Sequence, residues 1–227
     1  MSNKTQFTII ELMIVIAVLA VLASLLSPSL KSAIQTAQQS ECSHQMKSIH
    51  LGMELYEGDY KAYPGIWYQG NNWGNWVKSI WDYTGLDSNK YNWNTYSHRR
   101  GTKRNLFHCP VTYENVIPSK GWTPYYEADR ESSYAYNASP VWVNLPSLHW
   151  KKKWSTPIST QWFDKPANTA LLIESQHHVI TNTGNYTPNV IEPHFMKRNM
   201  LSWDGHIETI YHDDVSTNFQ DTFWSGQ

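Results

Sequence analysis

The chain has 227 residues, with 18 Lys and Arg against 19 Asp and Glu and a formal net charge of -1 at pH 7. That balance excludes the chain-wide basic character that draws proteins to nucleic acid, so no nucleic-acid partner is expected. Two cysteines exclude a four-cysteine zinc site, and the absence of G-x-S-x-G, G-x-x-x-x-G-K-[ST] and H-E-x-x-H motifs leaves no enzyme class indicated and no catalytic residue assigned.

The first predicted element is an apolar run from Phe7 to Leu26, FTIIELMIVIAVLAVLASLL, twenty residues interrupted by one charge, Glu11. Twenty helical residues cover roughly 30 Å, the thickness of a bilayer core, so residues 7-27 are read as a transmembrane helix. A carboxylate inside such a span is costly and marks a functional site when it does not reach the headgroups. Only Lys4 precedes the run, which is longer than the core of a secretory signal. Ala20 and Ala23 nevertheless resemble a small-residue cleavage site, and removal of the segment there is the alternative.

Beyond Pro28 the helical pattern continues. Apolar positions recur at Leu30, Ile34, Ala37, Cys42, Met46, Ile49, Met53, Tyr56 and Tyr60, with polar residues such as Gln35, Gln38, Glu41, Gln45 and Glu54 between them. Residues 28-60 therefore read as an amphipathic continuation of the same helix, with Pro28 removing one backbone hydrogen bond and favouring a kink. From Lys61 the chain breaks into short aromatic and β-branched stretches, and residues 61-227 form one domain with its own core. Trp76 to Thr84 has helical spacing, while Ser133 to Tyr136, Ala170 to Ile173, Met200 to Trp203 and His206 to Tyr211 are strand candidates. Asp204 and Gly205, between two of those strands, predict a tight type I′ hairpin turn with positive φ at both central positions. The predicted class is α+β, a long N-terminal membrane-spanning helix packed on a small antiparallel sheet with large irregular loops.

The string FTIIELMIVIAVLAVLAS resembles the N-terminal segment of type IV prepilins and type II secretion pseudopilins, in which a phenylalanine, a threonine and a glutamate share this spacing. The resemblance implies a pilin-like fold and a leader, residues 1-6, cut by a prepilin peptidase between Gln6 and Phe7, with methylation of the new Phe7 amine. Gln6 stands where the family usually has glycine. Glu11 maps onto the family's assembly glutamate, which would pair with the Phe7 amine of a neighbouring subunit. Implied partners are homo- and hetero-oligomeric pseudopilins, an inner-membrane assembly platform, an exported protein substrate and membrane lipid. The implied location is the inner membrane, crossed once with the N-terminus cytoplasmic and residues 61-227 periplasmic. His194, followed by nine residues and then Asp204 and Gly205, is similar to the H-X9-DG signature of a pseudopilin-like subgroup.

In an extracytoplasmic domain Cys42 and Cys109 either form a disulfide tying the helix to FHCP or remain two packed thiols. All 12 tryptophans follow Tyr60. They either pack irregular loops or, as Trp73, Trp76 and Trp93, stack on sugar rings, the basis of an alternative reading as a minor pilin or surface binding protein contacting glycan. A third reading is a secreted or anchored enzyme with a prepilin-like N-terminus. His177, His178, His194, Asp204, His206, His212, Asp213 and Asp214 match neither a zinc nor a calcium spacing template, so no metal site is assigned. Some major pseudopilins bind calcium in a C-terminal loop, and calcium is the cofactor the resemblance would allow. Lys151 to Lys153, flanked by Trp150 and Trp154, reads as a solvated loop or a contact for an anionic polymer.

Overall fold

The computed structural model describes residues 8-65, 76-86, 106-110, 134-137, 140, 144, 147, 156-174, 179-180, 197-211, 214 and 225. The chain divides into two compact units, Met1–Gln38 and Gln39–Gln227. Its first element, helix α1, spans Ile9–Tyr60 and contains Pro28. The helix continues through the proline, although Pro28 has no N–H to give the Ser24 carbonyl and its ring crowds that carbonyl. At its C-terminus, Lys61 adopts φ of 59°, its N–H donates to the Glu57 carbonyl at 2.7 Å, and its Nζ donates to the Gly58 carbonyl at 2.7 Å. Lys61 thus occupies the left-handed capping position usually given to glycine, with its own ammonium satisfying one more orphan carbonyl.

In the first unit the large apolar side chains are exposed, from 47% at Val15 to 78% at Ile9. A predominantly apolar exposed helix surface is suited to lipid or to another helix, and α1 is long and apolar enough to cross a membrane.

In the second unit the helix turns amphipathic: Cys42, Met46, Ile49 and Met53 are buried at the predicted spacing, Gly52 is buried beside them, and Tyr60, the last position of the predicted stripe, is exposed. Gly52 is a close-approach position, since a Cβ there would lie 2.9 Å from Thr84 Cγ2. Thr84 ends the predicted helical stretch after Trp76, which is a short helix α2, Trp76–Ile80, followed by a 3-10 turn, Asp82–Thr84, closed by Gly85 at φ of 73°.

Strands β1 (Tyr134–Asn137), β2 (Ala170–Glu174), β3 (Val179–Ile180), β4 (Lys197–Ser202) and β5 (Ile207–Tyr211) form one sheet in the order β3-β1-β2-β4-β5. Four strands pair antiparallel, giving the α+β, pilin-like arrangement of a long helix and a small sheet. The expected small antiparallel sheet is extended by the short β3, which pairs parallel with β1. Strand β4 starts three residues before the predicted Met200 and ends before Trp203. Its polar opening, Lys197 to Asn199, conceals a strand whose Arg198 and Asn199 are fully buried.

The sheet is covered on both faces. Tyr134, Tyr136, Leu172, Leu201 and Trp203 share a core with the helix residues, while Ala135, Ala170, Ile173, Met200 and Ile210 form a second cluster. Consecutive Leu171 and Leu172 both enter the larger core because the β2-β4 register shifts between Ala170 and Leu172. A one-residue bulge reverses the usual alternation of faces.

Candidate functional site

Two places concentrate the residues marked by the sequence: the first turn of α1, and the region where the β4-β5 hairpin meets the helix from Gln39 onward.

The helix begins with a reciprocal cap. Thr8 donates its backbone N–H to Glu11 Oε2 at 2.8 Å and its hydroxyl to the same oxygen at 2.8 Å, while the Glu11 N–H donates to Thr8 Oγ1 at 3.3 Å. This is a capping box, T-x-x-E, in which two of the four orphan amides of a helix start are satisfied by side chains. The spacing Thr8 to Glu11 is the sequence signal of a helix start that would have found this cap. Both bonds to the carboxylate converge on Oε2, so Oε1 has no partner among these contacts. A cut before Phe7 would leave every member of the cap in place. Gln6 and Phe7 lie outside the described residues.

The hairpin site is built around Asp204 and Gly205. Gly205 N–H donates to the Ser202 carbonyl at 2.9 Å, and Ser202 N–H donates to the His206 carbonyl at 2.9 Å. Only Gly205, at φ of 85°, is left-handed in this loop, which corrects the expected type I′ geometry. The connection is a three-residue loop, a tight turn followed by a left-handed glycine, in which Trp203 as well as Asp204 leaves the strand. Trp203 has a reason to leave. Its ring stacks on Phe163 at 4.1 Å and meets Tyr63 edge-on at 4.7 Å, so it anchors the turn in the aromatic core.

Asp204 Oδ1 accepts the His206 N–H at 3.1 Å and sits 2.6 Å from His206 Nδ1. Partial burial works to raise the Asp204 carboxyl, but hydrogen bonds and charge from His206 outweigh it and hold the group below its ordinary value. Gly205 faces the helix: its carbonyl accepts Lys47 Nζ at 2.6 Å, and a Cβ built on it would lie 2.7 Å from His50 Cε1. His50 Nε2 is 3.5 Å from Glu54 Oε1, and Glu54 in turn accepts a close hydrogen bond from the Tyr63 hydroxyl. Desolvation lowers the His50 imidazole despite the opposing pull of Glu54. Burial first, and then Glu54, raises Tyr63. The signature's Asp-Gly thus forms a turn locked to the helix, while His194 lies outside the described residues.

Farther along the same contact, Gln39 Nε2 donates to Thr209 Oγ1 at 3.0 Å, and Asn199 Nδ2 donates to the Gln39 carbonyl at 3.3 Å. Cys42 and Cys109 are joined in a disulfide, with Cα atoms 5.2 Å apart. Tyr134 donates to Gln45 Oε1 at 2.6 Å beside it. The structure therefore sets Cys109 against Cys42, and Gly205 against Lys47 and His50, along the second unit's part of α1.

Trp76 is fully buried, with ring centroids 5.8 Å from Phe107 and 5.5 Å from Tyr136. That overturns its candidacy for a sugar-stacking surface, because an indole enclosed by aromatic neighbours has no free face. Trp73, Trp93, His177, His178, His212, Asp213 and the run Lys151 to Lys153 lie outside the described residues.

No protein-family model matches the chain, and no solved structure matches it. The chain is similar to type II secretion system core protein G of Pseudomonas aeruginosa strain PAO1, with 34% identity over 62 residues, which is 27% of this chain and 44% of that protein. The match thus spans less than half the length of the curated relative. This partial likeness to a type II secretion protein stands beside a long apolar N-terminal helix and a pilin-like α+β arrangement.

Proposed function

We propose that the chain is a structural subunit, held in the inner membrane by residues 7-27 and assembled through its N-terminal helix into the pseudopilus of a type II secretion or type IV pilus-like system. The observation that carries this reading is the exposed apolar surface of α1 opening on a capped glutamate. Residues Ile9 to Leu26 offer lipid and neighbouring helices an exposed apolar surface broken by a single charge. Glu11 is the one carboxylate in it, already oriented by Thr8 and with Oε1 available to a cation. The Phe7 amine of an adjacent subunit, created by prepilin peptidase between Gln6 and Phe7, is the cation this site suits. Pairing there offsets a burial cost on the order of 3 kcal/mol for a carboxylate at membrane depth, and so fixes the axial register between subunits.

In this reading the N-terminus is cytoplasmic, residues 61-227 face the periplasm, and the partners are other pseudopilin copies, the assembly platform and the exported protein. Within the second unit, the polar hairpin contacts and the disulfide tie the helix from Gln39 onward to the sheet and to FHCP.

Two measurements test the proposal. Glu11→Ala is expected to abolish recovery in sheared filaments and to block export while leaving membrane insertion intact; unchanged recovery and export would overturn it. The intact mass of the native protein is expected to match a chain starting at methylated Phe7. A start after Ala20 or Ala23 would point instead to signal peptidase and a released domain.

A further inference from the structure

The assembly reading makes no use of Glu174, the last residue of β2. Its side chain is completely buried, as are Cys42 and Cys109, and one carboxylate oxygen and the two sulfurs lie within 4.8 Å of one another. Burying a carboxylate costs several kcal/mol unless its oxygens are engaged. Asn199 engages both, donating its backbone N–H to Oε2 at 2.7 Å and its Nδ2 to Oε1 at 3.1 Å. Asn199 is itself held, for its Oδ1 accepts the Thr209 hydroxyl at 3.1 Å. Two sulfurs and an oriented carboxylate, drawn from α1, the Phe107 to Pro110 segment and β2, are thus set around one point. Thiolates and carboxylates are ligands of zinc, and carboxylate ligands in such sites are fixed by outer hydrogen bonds of this kind.

We infer that, in the reduced chain, Cys42, Cys109 and Glu174 form a three-ligand site for a zinc-class divalent cation, and that the cystine and the metal-bound form are alternative states of the same residues. The conversion balances simply. A phosphine supplies two electrons and is oxidised to its oxide with the oxygen of one water, the S–S bond breaks, and the two protons of that water go one to each sulfur. The cation then displaces both thiol protons and binds two thiolates and the carboxylate. Donors around tetrahedral zinc stand roughly 3.5 to 3.8 Å apart for bonds of about 2.0 to 2.3 Å. The reduced sulfurs need only separate to that distance, on backbones whose Cα atoms are 5.2 Å apart. Three protein ligands leave the fourth position to water or another donor. Affinity rises with pH because the thiols must lose protons. This inference is independent of filament assembly.

The test uses the full-length chain in detergent micelles. After reduction by a phosphine, cobalt(II) titrated without oxygen is expected to give a thiolate charge-transfer band saturating at about one equivalent and removed by zinc, whereas the unreduced chain gives none. Glu174→Gln is expected to weaken cobalt binding at least 10-fold while keeping the band, and Asn199→Ala to weaken it by about 10-fold through loss of the outer hydrogen bonds. X-ray absorption of the zinc-loaded wild-type chain, which needs no variant, is expected to show two sulfurs with lighter first-shell atoms. The absence of the band, unchanged affinity in folded Glu174→Gln, or a first shell without two sulfurs would each overturn the site.

Discussion

Gly205 presses on His50 so closely that a single methyl group would not fit: a Cβ would stand 2.7 Å from His50 Cε1, at a residue whose φ of 85° already disfavours any side chain. Two independent demands therefore fall on one glycine. Gly205→Ala is expected to destabilise the folded domain by about 2 to 4 kcal/mol, combining roughly 1 to 2 kcal/mol for the left-handed backbone with displacement of the imidazole. Urea unfolding of the full chain in micelles, followed by tryptophan fluorescence, measures it. Gly58→Ala is the control: it meets nothing within 4 Å on the same helix and is expected to be stabilising by about 0.5 to 1 kcal/mol. Equal effects at the two glycines would remove the argument.

The imidazole on the other side of that contact makes stability depend on pH. Burial keeps His50 deprotonated below its ordinary value, against the attraction of Glu54 and Asp204, with Lys47 adding to the depression and a Trp203 backbone hydrogen bond opposing it. As pH falls through about 6.5, the unfolded chain gains a proton that the folded chain refuses, so stability falls until His50 itself protonates. The urea midpoint is expected to drop between pH 7.5 and 5.5, and His50→Gln is expected to flatten this dependence. A wild-type midpoint that rises on acidification would contradict the assignment.

Thr8 carries part of the load ascribed to Glu11. Thr8→Val removes both hydroxyl contacts while leaving the backbone N–H bond to the carboxylate. The expected loss is about 1 kcal/mol in the first turn, read as roughly five-fold faster amide exchange at Glu11, whose N–H the hydroxyl accepts. Filament recovery is expected to fall less than for Glu11→Ala, because the carboxylate remains. Exchange indistinguishable from wild type would show that the cap does not order the helix start.

The disulfide closes a loop of 67 residues between helix and FHCP. Cys109→Ser is expected to cost about 4 kcal/mol in unfolding free energy on the chain-entropy account. Thiol trapping of the wild-type chain without reductant should label no cysteine, and full labelling of both would refute the bond.

Much of this was readable from the sequence wherever a pattern repeats. The stripe from Cys42 to Met53 announced the buried helix face, and Ala170 to Ile173 announced a strand, because periodicity integrates over several residues. Asp204-Gly205 announced a turn but not its type, since Trp203 joins the loop only for the sake of the Phe163 and Tyr63 rings. Strand β4 began earlier than expected because the partners that permit burial of Asn199, Glu174 and Gln39, come from elsewhere in the fold. Glu174 gave no local signal: it becomes notable only when Cys42, Cys109 and Asn199 arrive around it from distant positions.

The bond between Cys42 and Cys109 also changes what a broken chain would be. A protease cutting once anywhere between residues 43 and 108 would produce two polypeptides that remain one molecule, the piece bearing the N-terminal helix still attached to the piece bearing the sheet. Such damage would be silent on a non-reducing gel and visible only after reduction. Release of the domain by a single cut would require cleavage on either side of that interval, or prior loss of the bond.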